Sequence, residues 1–261
     1  MSDVTGRRMA RSLLIRGMLV GLVAGLVAFV FAYVFGEPQV QRAVDFENIR
    51  IDRALAVAAP HTHRAPDLVS RGLQRTVGLL TGTVVLGVGL GGLFALTFAW
   101  AYGRVGALGP RVLAAVLAGG AYLTITVVPF TKYPANPPTI GDPQTIGRRT
   151  VLFVAMIAIS VLAALAAARV RRALRARLDA FDAGLAAAAA FVVVVGVAEA
   201  ILPAVHETPP GFPADLLWRF RLASLGINAT IWTAIGLGFG ALAQRLIQPA
   251  AGQDAPGLGA L

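Results

Sequence analysis

The chain has 261 residues, of which 57% are hydrophobic and only 14% charged, and its mean hydropathy is +0.72. Soluble domains carry about 25% charged residues, so water is not the main solvent of this one. The formal net charge is +10, but every one of the 23 basic residues except Lys132 is arginine, and no basic stripe lies beside stacking aromatics; this argues against a nucleic-acid partner and for charge that orients the chain in a bilayer.

With no cysteine, neither disulfides nor thiolate metal sites are available. The bias toward Ala, Gly, Val and Arg suggests a GC-rich bacterial genome. At the N-terminus, Arg7, Arg8, Arg11 and Arg16 precede an apolar run from Gly17 to Phe35. That run exceeds the roughly 7–15 residues of a secretory signal core, and no A-x-A cleavage site follows, so it reads as a retained anchor.

Six runs free or nearly free of charge follow one another: 17–35, 76–100, 112–130, 150–168, 185–202 and 222–243. Each reaches the roughly 17–25 residues that cross about 30 Å of hydrocarbon as a helix. Lipid offers backbone groups no hydrogen-bond partner, so runs of this length must be helical. The expected fold is all-α: a polytopic bundle of about six transmembrane helices forming a single membrane domain over 17–247. It is preceded by a basic cytoplasmic segment, 1–16, and followed by a flexible cytoplasmic tail, 248–261.

The linkers carry most of the polar character. The first, 36–75, contains Pro38, Pro60 and Pro66 and five of the 13 acidic residues, and is expected to be helical around Gln39 to Ala59 and irregular from there to Pro66. The second, 131–149, holds Pro134, Pro137, Pro138 and Pro143, which forbid helix and favour extended or turn backbone. The third, 203–221, reads His206-Glu207-Thr208-Pro209-Pro210-Gly211-Phe212-Pro213. Pro213 and Asp215 suit the first turn of a helix, and Trp218 with Phe220 suits the membrane interface. Arginines at 169, 171, 172, 175 and 177, together with the N-terminal ones, place those segments in the cytoplasm, so that both termini are inside and the three polar linkers share the outer face.

Gly17, Gly21 and Gly25 form a double GxxxG on the first span, a pattern that lets a neighbouring helix approach closely, either within one bundle or in a homo-oligomer. Gly82, Gly87, Gly89, Gly91 and Gly92 crowd the second span, and Gly236, Gly238 and Gly240 the last.

Only Glu199 is an ionisable residue clearly inside a span. A carboxylate in hydrocarbon costs about 2.5–3.5 kcal/mol on insertion scales, so it should face the interior or water, either near a cation path or reaching a loop from the outer end of its helix. His61, His63 and His206 all fall in the outer linkers with Glu37, Asp45, Glu47, Asp67 and Glu207. Imidazole with carboxylate suits divalent first-row metals. The candidate metal-collecting set is therefore His61, His63, Glu37, Glu47, Asp67, Glu199, His206 and Glu207, although Arg64 beside the histidine pair opposes a cation. No catalytic residue and no permanently bound cofactor is expected. The sequence has no G-x-x-x-x-G-K-[ST] and no H-E-x-x-H, so the expectation is not an enzyme.

Specific stretches resemble a known family. Val128-Pro129-Phe130-Thr131-Lys132-Tyr133-Pro134-Ala135-Asn136-Pro137-Pro138-Thr139-Ile140-Gly141-Asp142-Pro143, continuing through Thr145-Ile146-Gly147-Arg148-Arg149-Thr150, is similar to the central signature of the CbtA family, membrane subunits of predicted cobalt transporters. Val69-Ser70-Arg71-Gly72-Leu73-Gln74-Arg75-Thr76-Val77-Gly78-Leu79, the stretch Gly211 to Leu225, and Phe35-Gly36-Glu37-Pro38 resemble it as well, most closely in its actinobacterial branch. The resemblance implies cobalt uptake across the bacterial cytoplasmic membrane, connected with cobalamin synthesis, beside a small histidine-bearing CbtB-like partner. Two other readings are a non-transporting scaffold that docks a partner through its outer loops, and a membrane enzyme binding a lipid-linked phosphate through Lys132, Arg148 and Arg149.

Overall fold

The computed structural model describes residues 2–58, 69–138, 140–141, 143–205 and 207–247. Among them there is no strand. The helices are α1 (Ser2–Phe31), α2 (Glu37–Ala58), α3 (Arg71–Leu73), α4 (Leu79–Ala101), α5 (Pro110–Ala121), α6 (Val128–Lys132), α7 (Ile146–Leu174), α8 (Ala180–Ile201) and α9 (Ala214–Ile247). Three π-helical segments, Ala32–Gly36, Gln74–Gly78 and Tyr122–Val127, join α1 to α2, α3 to α4 and α5 to α6, and a 3-10 turn, Pro143–Thr145, leads into α7. Among the described residues, six helical stretches are long and apolar enough to cross a membrane: Arg8–Ala54, Arg71–Ala101, Pro110–Lys132, Ile146–Leu174, Ala180–Ile201 and Ala214–Ile247. The protein is an all-α, polytopic membrane protein.

The helices overrun the apolar stretches that forecast them. α7 continues through Arg169, Arg171 and Arg172 to Leu174, and α9 starts at Ala214, so segments expected as linker are helical. Hydrocarbon demands helix only within its own thickness, but Ala, Leu and Arg are good helix formers and nothing stops the helix at the boundary. Two of the π segments have a local cause. Pro38 and Pro129 each follow one by two residues; a proline has no N–H for the carbonyl four residues earlier, and widening the preceding turn is one way a helix absorbs that loss.

The chain divides into two compact units. The first is drawn from Met1–Phe31, Arg71–Gly120 and Ala229–Leu261. Here the glycines of α1 lie against those of α4: a Cβ built on Gly21 would overlap the carbonyl of Gly87, and one on Gly25 would come within 2.5 Å of Thr83 O. The double GxxxG is thus spent within the chain, on contact between the first and second spans, and that buried face is closed to a second copy. Phe239 of α9 closes the core with edge-to-face contacts to Phe94 at 5.4 Å and Phe98 at 5.1 Å. Arg16 Nη1 donates to Leu242 O at 3.2 Å.

The second unit is drawn from Ala32–Ser70 and Ala121–Asn228. Ser160 of α7, fully buried, donates to the carbonyl of Thr124 in the π segment, so a polar side chain inside the bilayer region is satisfied by backbone. α8 packs on α7 through Ala183 and Ala187 and leaves Leu185, Val192, Val193, Val194, Val197 and Ile201 exposed, as suits a helix facing lipid. A small apolar core of Ala43, Ile140, Phe212 and Leu216, with Phe46 and Leu217 against it, draws one residue or more from each of the three polar linkers or the helix beside it.

Candidate functional site

The three linkers expected on one face converge in the second unit. Phe46 of α2 and Phe212 of the third linker meet edge to face at 5.2 Å, with Ile140 of the second linker in the same core. Around that apolar centre runs a set of polar ties. Arg221, on the first turns of α9, donates from Nε to Ala135 O at 3.3 Å and from Nη2 to Asn136 Oδ1 at 3.2 Å, holding the proline-rich loop whose Pro137 is fully buried.

Glu199 lies in the last turn of α8 and is half-buried. Its Oε1 accepts from Thr131 Oγ1 at 2.5 Å, and its main-chain oxygen accepts from Lys132 Nζ at 2.7 Å. Carbonyls in a final helical turn have no intrahelical donor, so the lysine caps α8 from a different helix. Just beyond, Tyr133 donates its hydroxyl to Pro203 O at 2.9 Å. Burial raises the Tyr133 phenol above its ordinary value, and the nearby positive charge of Arg148 partly offsets this.

Glu207 is held from the other side. Thr145 Oγ1 donates to its Oε1, and Arg149 Nη1 lies 2.9 Å from its Oε2. That second contact is electrostatic and poorly aligned, since neither Glu207 Oε2 nor Arg149 Nε has a well-oriented hydrogen-bond partner among the described residues. Thr145 occupies the N-cap position of α7 yet makes no side-chain cap. Its hydroxyl is given to Glu207 instead.

The metal-collecting set is distributed as follows. Glu199 and Glu207 sit in the polar ties, Glu37 opens α2, and Glu47 pairs with Arg50 at 3.0 Å on the same helix. His61, His63, Asp67 and His206 lie outside the described residues. Among the described residues no group of three or more His, Cys, Asp or Glu side chains converges. Of the phosphate-binding trio, Arg149 pairs with Glu207, Lys132 donates to Glu199 O, and Arg148 is exposed.

Thr131, Thr145 and Tyr133 carry the ties, and no sequence pattern singles them out. The positive φ of Gly141, +115°, was more readable, because a Gly amid prolines marks a turn that L side chains resist.

No curated protein and no solved structure shows detectable similarity to the chain. A family model described as "Probable cobalt transporter subunit (CbtA)" matches residues 10–244, which takes in all six membrane-length helices except a few residues of the first and last. With that coverage, and with the proline-rich signature built into the ties just described, the chain belongs to the CbtA family of probable cobalt transporter subunits.

Proposed function

We propose that the chain is the membrane subunit that carries a divalent metal ion, cobalt by family, across the bacterial cytoplasmic membrane for cobalamin synthesis. The family match over nearly the whole chain carries this reading. Six helices of membrane length supply a scaffold for it. The convergence of the three linkers on one apolar core, with Glu199 and Glu207 tied to the second of them, supports an entrance on that face, with His61, His63, His206, Asp67, Glu37 and Glu47 as collecting groups whose donor chemistry suits a first-row dication. Clustered arginines at 169–177 and at the N-terminus support an orientation with both termini in the cytoplasm. A small histidine-bearing partner would complete the transporter.

Uptake of radiolabelled cobalt by cells with and without the chain tests the proposal. Uptake should fall on deletion and return on complementation; uptake indifferent to deletion overturns it.

A second reading, an accessory subunit that docks a partner without passing metal itself, is favoured by one observation. The carboxylates of Glu199 and Glu207 are already engaged, by Thr131 in one case and by Thr145 and Arg149 in the other. Uptake that requires the chain but survives Glu199→Gln together with Glu207→Gln would favour it.

A further inference from the structure

The end of α7 and the turn after it present five guanidinium groups that the described residues leave uncompensated. Arg169, Arg171, Arg172, Arg175 and Arg177 are all exposed, and none makes an ion pair among the described residues. Counter-charge is close by in sequence, since Asp179 and Asp182 follow at once. Asp179, however, is committed to the N-cap of α8, where Oδ1 accepts from the main-chain N–H groups of Phe181 and Asp182 at 2.8 Å each.

The turn itself is tightly made, with Arg177 N and Leu178 N both donating to Leu174 O at 2.8 Å. Arg175 therefore stands four positions after Arg171 and three after Arg172 around the last helical turn, so that it neighbours both and the three can act on one group. Beside them, apolar side chains are left out of the fold: Leu178 is 40% exposed and Phe181 76%. Charge that wants phosphate and apolar surface that wants acyl chain occur in adjacent residues at the end of a membrane-length helix.

We propose that this corner binds anionic phospholipid, the arginines holding headgroup phosphate and Leu178 and Phe181 lying against the upper acyl chain. Guanidinium groups pair with phosphate in bidentate fashion, which distinguishes the site from diffuse attraction of the kind any basic surface feels. A neutral, zwitterionic headgroup lacks the net charge to offset the cluster and binds weakly.

The test uses the full chain purified in neutral detergent and titrated with mixed micelles of phosphatidylglycerol or of phosphatidylcholine, with bound lipid counted by native mass spectrometry at low and high salt. Phosphatidylglycerol should be retained in preference, and retention should fall as salt rises. The triple variant Arg171→Gln, Arg172→Gln, Arg175→Gln should bind it roughly fivefold more weakly for each arginine removed. Lysine at the same three positions should recover part of the loss, and Arg50→Gln, on α2, should leave binding as it was. Equal retention of the two lipids by the unaltered chain overturns the proposal, as does unchanged binding in the triple variant or an equal loss in Arg50→Gln.

Discussion

Arg149 and Glu207 meet at 2.9 Å against the bare Cα of Gly141, where a Cβ would come within 2.6 Å of Arg149 Nη1 and 2.7 Å of Glu207 Oε2. Gly141 also holds φ at +115°. Gly141→Ala therefore meets two obstacles, backbone strain and collision with the ion pair, and should cost about 2 kcal/mol. Arg149→Met leaves the Glu207 carboxylate, among the described residues, with Thr145 alone. Side-chain exposures of 28% and 12% screen the pair partly, so the loss should be about 1–3 kcal/mol rather than the full cost of a buried charge. Thermal unfolding in detergent reads both, and a Gly141→Ala chain as stable as its parent would show that the linker yields.

The contact between the first two spans makes a sharper contrast. Gly21→Ala places a methyl group against the Gly87 carbonyl, backbone against backbone, where no side chain can swing aside. The helices must part, and loss of close packing over the double GxxxG should lower stability by about 2 kcal/mol or more. Gly82→Ala and Gly89→Ala, on the same second span, meet nothing within 4 Å. They should be neutral or stabilise by up to about 1 kcal/mol through helix propensity. If all three behaved alike, close approach of α1 and α4 would not be what the glycines serve.

How far the sequence foretold these arrangements depends on the physics behind each. The six spans were legible because hydrocarbon thickness and backbone hydrogen bonding leave a run such as Val151 to Ala168 no other option. That Gly17, Gly21 and Gly25 form a packing face was legible too, but not that α4 of the same chain fills it. The helical start of α9 ahead of Leu222 was signalled by Pro213 and Asp215 and still fell within a stretch expected to be linker. The site was less legible. Glu199 stood out as a carboxylate in a span, yet its partners Thr131 and Lys132 lie far off in sequence, and only tertiary structure brings a hydroxyl and an ammonium to one helix end.

Glu199 offers a way to separate its charge from its hydrogen bond. Glu199→Gln keeps an oxygen for Thr131 to donate to, so the tie between the second linker and α8 should persist and stability should change by less than about 1 kcal/mol. Thr131→Val removes the donor and keeps the carboxylate. If the carboxylate meets the passing ion, cobalt uptake should fall severalfold in Glu199→Gln and much less in Thr131→Val. The reverse order would assign Glu199 to pinning the linker alone.

Tyr133 predicts a pH dependence whose direction follows from its environment. Burial favours the neutral phenol, so its proton is held more tightly in the folded chain than in the unfolded one. The stability this brings is complete below the ordinary tyrosine value near 10 and is lost as pH rises through the higher folded value. Tyr133→Phe cannot ionise. At neutral pH it lacks the hydrogen bond to Pro203 O and should be less stable by about 1 kcal/mol. Above the ordinary value the gap should narrow, because only the parent must keep a proton to stay folded. Unfolding temperatures of the two chains between pH 8 and 11 would show this convergence, and a constant difference across that range would mean that the phenol is as well solvated in the folded chain as in the unfolded one.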